Sequence, residues 1–293
     1  MMGDFLSTSP KASQLSSALA ELLVALNPRG MAGVQRRLDS NNFLNGAQLL
    51  LAAADNVVIC TGFPVADTFE TDGPAGALAL YEYCDQLGLK PWLLAGDPLL
   101  RALGPGVRAY SLSSFDRDQA ARDAQAMTED LKPTLLIMIE RPGAAADGRY
   151  YNITGRDITD ICRPAEPYVE LLSCPVIAIG DGGNEIGMAK AGDVLNTLDI
   201  RPAASSCDEL LVADVSNWAA YGLIAMTEYL QGVPEVLAWL NAQDLLERLV
   251  QVGAVDGVTH EAVATEDGLP PEAGQQLIAA IQQLFASASE GAN

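Results

Sequence analysis

The chain has 293 residues, with 17 lysines and arginines against 38 aspartates and glutamates, so its formal net charge at pH 7 is −21. A protein that grips phosphate backbones needs a basic surface, which this composition excludes. Hydrophobic residues make up 49% of the chain and charged residues 19%, which suits a large core and is not typical of a disordered chain. We therefore expect a globular protein with a small-molecule partner and no nucleic-acid partner.

The N-terminal residues MMGDFLSTSPKAS have neither the basic start nor the apolar stretch of a secretion signal. No segment approaches the roughly 20 apolar residues that a transmembrane helix needs. The five cysteines form no C-x-x-C pair, which favours buried free thiols over a zinc site or disulfides. These features predict a cytoplasmic protein with no membrane partner, and they leave a homo-oligomer as an open alternative.

The predicted elements begin with a helix over residues 13–27, where apolar side chains recur at helical spacing, and a shorter helical stretch follows up to about residue 54. Further helical segments are predicted at about 216–252 and 271–286, separated by a polar, Gly-rich loop over 256–271. Between these helical regions, short apolar runs predict six strands, at 57–62, 91–96, 106–112, 134–140, 174–180 and 209–214.

The strand runs are continuously apolar, and such strands are covered on both faces, as crossover helices cover a parallel sheet. We predict an α/β fold: a doubly wound, mainly parallel sheet of about six strands with helices on both faces. Residues 1–54 are predicted as an N-terminal helical segment packed on the core, with a small separate domain as the alternative. Residues 55–293 are predicted as an α/β catalytic-type domain.

Acidic residues follow four of the predicted strands. Because parallel strands end at the same edge of a sheet, these side chains are expected to converge there. Any single one could simply cap a helix, but together they predict a divalent metal, a substrate ammonium or a carboxyl group with a raised pKa. They are Glu70 and Asp72 after the first predicted strand, Glu140 after the fourth, Asp181 and Glu185 after the fifth, and Asp214 after the sixth.

Common catalytic motifs are missing. The stretch GDGGNEIGM at 180–188 has Glu185 where a dinucleotide fingerprint needs glycine, and no Gly-Lys-Ser/Thr occurs, so we expect no nucleotide cofactor. His260 is the only histidine and no G-x-S-x-G accompanies it, which argues against a Ser-His-Asp triad. The loop over 140–159 lacks periodicity and is either functional or an irregular excursion at the sheet edge.

Five blocks of the sequence together resemble the D-glutamate cyclase family, in its catalytic-type C-terminal domain. They are TGFPV at 61–65, ETDGPAGALAL at 70–80, ERPGAAADGRYYNITGRDI at 140–158, IGDGGNEIGM at 179–188 and DGVT at 256–259, and the resemblance runs from about residue 40 to the C-terminus. It implies a hydro-lyase that converts the amino acid D-glutamate to 5-oxo-D-proline with loss of water and without ATP. It also implies a divalent cation, manganese.

On this resemblance we expect Asp181 and Glu185 to act as base and proton donor or as metal ligands, with Glu70 as a further metal ligand and Asp72 as a further catalytic residue. The backbone amides of residues 182–184 would face the developing oxyanion, and Arg141 or Arg156 would bind the substrate α-carboxylate. The full set of expected substrate-binding residues is Thr71, Gly73, Arg141, Asn152, Arg156, Gly182, Gly183, Asn184 and Asn217.

Two other functions are compatible with the same residues. One is a protein that binds an amino acid or small metabolite without catalysis. The other is a different small-molecule enzyme, such as a racemase, isomerase or hydrolase, because doubly wound sheets support many chemistries.

Overall fold

The computed structural model describes residues 9–290, with side chains as far as residue 288. Expectations that concern residues 1–8 and 291–293, including part of the N-terminal stretch, lie outside the described residues. The strands of the described part are β1 (Asn56–Thr61), β2 (Pro64–Val65), β3 (Thr68–Phe69), β4 (Lys90–Ala95), β5 (Ala109–Ser111), β6 (Leu135–Ile139), β7 (Val176–Gly180) and β8 (Glu209–Val212).

Six strands form one sheet in the order β5–β4–β1–β6–β7–β8, and every neighbouring pair is parallel. Strands β2 and β3 form a separate antiparallel hairpin. Within β1, Val57 and Ile59 pack into one apolar cluster, whereas Val58 and Cys60 pack into another on the opposite face. Both faces of the sheet are therefore covered, which confirms the predicted doubly wound α/β fold.

Helices cover both faces of this sheet. The larger core contains side chains of α1, α3, α4 and α8 to α10, while α6 and α7 pack on the other face. The helices are α1 (Pro10–Leu23), α2 (Met31–Gln35), α3 (Asn42–Ala52), α4 (Pro74–Gln86), α5 (Leu99–Leu103), α6 (Arg117–Leu131), α7 (Glu166–Leu171), α8 (Ser216–Leu230), α9 (Ala242–Gln251) and α10 (Ala273–Glu290). None of the described helices combines the length and the hydropathy that crossing a bilayer requires.

The helix predicted over 13–27 ends at Leu23, because the chain then turns toward the carboxyl edge of the sheet. The backbone N–H of Asp214 donates to the Leu23 carbonyl oxygen (2.8 Å). The Asp214 carboxylate accepts hydrogen bonds from the backbone N–H groups of Leu26 (2.7 Å) and Asn27 (2.9 Å). This carboxylate therefore fixes the segment after α1, and a division of the chain at residue 54 stays a prediction.

The strand order reverses direction between β1 and β6, and open α/β sheets bind ligands at such a switch point. The turns that follow these two strands touch. Gly73, just before α4, has φ +85°, and a Cβ there would lie 2.5 Å from the Glu140 Cβ and 3.0 Å from the Thr61 Oγ1. Glycine is required at this position both by its backbone angle and by the close approach.

Replacing Gly73 with alanine tests this contact. Gly88→Ala is the matched control, because Gly88 has φ +78° and nothing within 4 Å of the added Cβ. The control should cost about 1–2 kcal/mol from backbone strain alone. We expect Gly73→Ala to cost a further ~1–3 kcal/mol from overpacking, measured as the free energy of urea unfolding. Equal losses in the two variants would contradict the described contact.

Candidate active site

A cavity of about 480 Å³ lies at the carboxyl edge of the sheet, beside the switch point. Its wall is built from parts of the chain that are far apart in sequence. The lining residues lie at position 29, in the hairpin region 63–70, at position 140, in the loop 152–161, in 181–185 and in 257–267. The turns after β1, β6 and β7 therefore meet at one site, as parallel strands dictate.

Carboxylates crowd this cavity and the layer beneath it. Most of their side chains are buried, and that of Asp267 is only 9% exposed. Burial raises the free energy of the charged form, and each carboxylate adds repulsion to the others. The group consists of Glu70, Asp72, Glu140, Asp181, Glu185, Glu266 and Asp267.

Three of these carboxylates are arranged as ligands for a cation. One oxygen each from Asp72, Glu140 and Asp181 lies within 4.8 Å of the others. Carboxylate oxygens suit hard divalent cations such as Mg²⁺ and Mn²⁺. Among the described residues, only Asp181 of the three expected ligands belongs to this group, while Glu70 and Glu185 lie elsewhere on the cavity wall. The residues present therefore fit a divalent cation, although the set differs from the expected one.

The start of α8 holds two of these ligands in place. The Asp72 carboxylate accepts the backbone N–H groups of Ser216 (3.0 Å) and Asn217 (2.8 Å), and also that of Gly73 (2.8 Å). The Ser216 hydroxyl donates to Glu140 Oε2 at 2.5 Å. Unpaired N–H groups at a helix N-terminus favour negative charge, so this helix stabilises carboxylates at the base of the cavity.

The two glycine amides expected to face an oxyanion are directed at Glu185. Gly182 N donates to Glu185 Oε1 (2.8 Å), and Gly183 N donates to Oε2 (2.7 Å). Glycine at 182 permits this approach, since a Cβ would lie 2.8 Å from Oε1. These amides stabilise the carboxylate of Glu185, and Asn184 lines the cavity beside it.

Several expected substrate-binding residues have structural partners. The Asn217 side chain accepts the backbone N–H groups of Gly73 (2.9 Å) and Gly76 (2.6 Å), which ties α8 to α4. The Thr71 hydroxyl donates to the carbonyl oxygen of Thr265 (2.7 Å). Arg141 Nη1 donates to the Gly62 carbonyl oxygen at 2.5 Å, and Nη2 donates to that of Arg163. The described residues that line the cavity do not include Thr71, Gly73, Arg141 or Asn217.

The loop that follows β6 supplies two expected residues to the cavity. Asn152 and Arg156 both line it, and Arg156 is exposed at its rim. Asn184 Nδ2 donates to the Tyr151 carbonyl oxygen (3.0 Å), which joins this loop to the turn after β7. Buried Glu166 also fixes the loop, because it accepts the Ala144 N–H and the Tyr150 hydroxyl, each at 2.6 Å.

Arg29 and Asp267 face the cavity without having been expected there. Arg29 Nη1 lies 2.5 Å from Asp181 Oδ2 and 2.6 Å from Asp267 Oδ2. The arginine comes from a Pro-Arg-Gly turn, and a charged residue in such a turn is normally solvated, so the sequence carried no signal for it. Asp267 lies in the polar loop 256–271, which is ordered by Asp256: its carboxylate accepts N–H groups from Val258, Thr259 and Gly268.

The pKa values of these carboxyl groups are raised, chiefly by burial. Burial and the charge of Asp267 raise the pKa of Asp72 to about 8, against the opposing amides of α8. Burial also raises the pKa of Asp181 to about 8, although Arg29 opposes the shift. Burial, followed by repulsion from neighbouring carboxylates, holds the pKa of Glu70 and Glu140 well above the usual range. Protons or a cation must therefore neutralise much of this cluster.

The fold and the position of the cavity define a doubly wound α/β protein with a candidate ligand site at its switch point. The chain belongs to the family described as D-glutamate cyclase-like, C-terminal, whose family model matches residues 20–282. This match confirms the resemblance found in the sequence. It begins before the expected start near residue 40, and it includes Arg29.

The chain is similar to a curated protein and to several solved structures. The chain is 28% identical over 300 aligned positions to human "D-glutamate cyclase, mitochondrial", covering 85% of this chain and 48% of that protein. It therefore spans about half the length of this relative. A crystal structure of an exopolyphosphatase-related protein from Bacteroides fragilis covers 85% of this chain and 56% of its own, with a TM-score of 0.40 and 12% identity. A variant of actinorhodin polyketide ketoreductase, crystallised with NADPH, covers 80% of this chain and 92% of its own, with a TM-score of 0.27 and 10% identity.

The raised pKa values predict how stability depends on pH when no divalent cation is bound. A carboxyl group with a folded-state pKa near 8, such as that of Asp181, keeps its proton in the folded protein between about pH 4 and pH 8, whereas the same group has lost its proton in the unfolded chain. Its contribution to stability is complete below the unfolded pKa and is lost as the pH rises through the folded pKa. The free energy of unfolding in chelator should therefore fall between pH 5 and 9, by about 1.4 kcal/mol per pH unit for each retained proton.

Chemical denaturation at several pH values, with and without Mn²⁺, measures this dependence. Saturating Mn²⁺ should reduce the fall, because the cation binds the deprotonated carboxylates. Glu140→Gln should also reduce it in chelator, whereas Glu129→Gln, at an exposed position of α6, should not. Stability that rises steadily from pH 5 to 9 in chelator would contradict the proton retention described above.

Proposed function

We propose that the chain cyclises D-glutamate to 5-oxo-D-proline with loss of water, as a lyase that uses no ATP. The observation that carries the proposal is a cavity lined by buried carboxyl groups, next to three carboxylates whose oxygens lie close enough to hold a divalent cation; burial raises the pKa of one of the lining groups, Asp181, to about 8. Membership of the D-glutamate cyclase-like family supports it. The volume of about 480 Å³ accommodates a five-carbon amino acid.

The reaction forms a bond between the α-nitrogen and the carbon of the side-chain carboxylate, and it breaks one carbon–oxygen bond of that carboxylate. The ammonium loses two protons and the departing oxygen gains two, so one water leaves and no net proton is consumed. A site for this reaction must accept protons from nitrogen and deliver protons to oxygen. It must also hold the substrate in a folded conformer, because intramolecular attack then replaces activation by ATP.

The cavity offers groups for both proton transfers. Glu185 accepts one proton from the ammonium, since the amides of Gly182 and Gly183 stabilise its charged form, and returns that proton to the departing oxygen. Glu70 lines the cavity outside the three-carboxylate group, and its raised pKa favours the protonated form, so it donates the other proton to the departing oxygen. The second proton lost by the nitrogen then restores the acid form of Glu70. Asp72, Glu140 and Asp181 would hold a divalent cation, manganese, which supplies Lewis-acid polarisation of a substrate oxygen when bound.

The remaining expectations stay predictions within this proposal. They are a cytoplasmic location and the absence of a nucleotide cofactor, while a homo-oligomer stays an open alternative. The human relative is named mitochondrial, and that word describes the human protein alone.

Incubating the purified chain with D-glutamate in the presence of Mn²⁺, Mg²⁺ or chelator tests the proposal. Formation of 5-oxo-D-proline is followed by chiral chromatography, with L-glutamate as the stereochemical control. Asp181→Asn should lower kcat/KM by about 100-fold or more, the usual effect of losing a proton-transfer or metal-binding group. Asp118→Asn, at an exposed position in the first turn of α6, should leave kcat/KM unchanged. Tight binding of D-glutamate without product, with the cation present, would instead indicate a binding protein.

A further inference from the structure

We propose that Arg29 binds the α-carboxylate of the substrate and thereby selects free α-amino acids over their amides. This role rests on the proposed function, and it assigns a specificity residue to a segment that precedes the parallel sheet.

Within the described part of the chain, one nitrogen of the Arg29 guanidinium is engaged. Nη1 contacts both Asp181 and Asp267, at 2.5 and 2.6 Å, whereas Nε and Nη2 make no hydrogen bond to any described residue. The side chain is 19% exposed and lines the cavity. A guanidinium has five N–H donors in a planar fork that matches a carboxylate. The unused edge of Arg29 is therefore suited to a carboxylate ligand inside the cavity.

The backbone around Arg29 is fixed on both sides. Asp214 binds the amides of Leu26 and Asn27, and Asn27 Oδ1 accepts the backbone N–H of Ala32 (3.0 Å). Gly30 has φ +80°, and a Cβ there would lie 2.6 Å from Leu198 Cδ2. The guanidinium is thus held by a tight loop and by two carboxylates, so little entropy remains to be lost when it binds a ligand.

The other basic residues near the cavity are less suited to this role. Arg141 donates to two backbone carbonyl oxygens and does not line the cavity. Arg156 and His260 line it but are exposed. Among the described lining residues, Arg29 is the basic side chain that combines burial with unused donors.

The position of Arg29 agrees with the geometry of cyclisation. The side-chain carboxylate of the substrate would bind at the cation that Asp72, Glu140 and Asp181 would hold, because this carboxylate loses an oxygen in the reaction. Arg29 contacts Asp181 through Nη1, so its guanidinium lies next to that group. A folded glutamate brings its two carboxylates close together, and the α-carboxylate, which does not react, is the one left for Arg29.

A purely structural role is the competing explanation. The ion pairs of Arg29 join the loop after α1 to the loop 256–271, and their loss could simply loosen the cavity. Such loosening would weaken all ligands alike. A carboxylate-binding role would weaken only ligands that carry the α-carboxylate, so the two explanations predict different substrate profiles.

The test compares D-glutamate with its α-amide in wild-type protein, Arg29→Ala and Arg29→Lys, measuring kcat and KM with Mn²⁺ present. Arg29→Ala should lower kcat/KM for D-glutamate by about 10- to 100-fold, the loss expected for a hydrogen bond to a charged group. For the α-amide the same variant should lower kcat/KM by a smaller factor, because the amide cannot form a charged pair, whereas the loss of the contact with Asp181 affects both substrates. Arg29→Lys should restore part of the loss, since it keeps the charge without the fork.

Arg36→Ala is the matched control, because Arg36 is an exposed arginine immediately after α2. This variant should leave kcat/KM unchanged for both substrates. Arg156→Ala is the competing arm: a selective loss of D-glutamate in this variant, with none in Arg29→Ala, would overturn the proposal. Equal losses of both substrates in Arg29→Ala, or a wild type that does not distinguish the two substrates, would also overturn it.

Calorimetric binding separates this inference from the proposed function. If no product forms from any substrate, the cyclase proposal fails, but binding of D-glutamate and its α-amide still reports on Arg29. A selective loss of D-glutamate binding in Arg29→Ala would then support the carboxylate site alone. Thermal unfolding of each variant checks that the fold persists, and Arg29→Lys provides the second reading if Arg29→Ala is unstable.

Discussion

The structure depends on one electrostatic constraint: a set of carboxylates is buried together, and among the described residues a single guanidinium lies within contact of it. Arg29 touches only Asp181 and Asp267, so most of the acidic side chains have no basic partner in the described part of the chain. Such a cluster persists only if protons, a cation or helix amides neutralise it. The raised pKa of Glu140 favours its neutral form, and the backbone N–H groups of α8 that donate to Asp72 stabilise negative charge, so both reduce the cost of burying these carboxylates.

The fold meets this constraint through the ends of its strands and the start of one helix. A parallel sheet brings the turns after β1, β6 and β7 to one edge, and α8 directs its first amides at the same place. Gly73 lets two of these turns touch, and Gly182 lets Glu185 approach the backbone. The carboxylates that would destabilise an ordinary core are thus concentrated at the cavity, where they can bind a cation or transfer protons. This arrangement is consistent with the clustering of perturbed pKa values at functional sites.

The sequence predicted the architecture well because strand runs and parallel crossovers depend on local patterns. All six predicted strands occur, and the expected convergence of Glu70, Glu140 and Asp181 on one cavity follows from strand order alone. The partners of individual side chains depend on tertiary packing and could not be obtained in this way. The structural hydrogen bonds of Arg141 and the approach of Arg29 across the chain have no local signature, and neither has the commitment of Asp214 to the segment after α1.

The backbone N–H groups of Leu26 and Asn27 donate to the Asp214 carboxylate, and these hydrogen bonds limit where the chain can be truncated. A fragment cloned from the first strand onward would keep every residue of the sheet and would look complete in a diagram of its topology. It would nevertheless lose the guanidinium beside Asp181, and it would expose the surface of α8 that α1 and α3 cover. Truncation studies and domain fusions should therefore treat the leading helices as part of the smallest working unit.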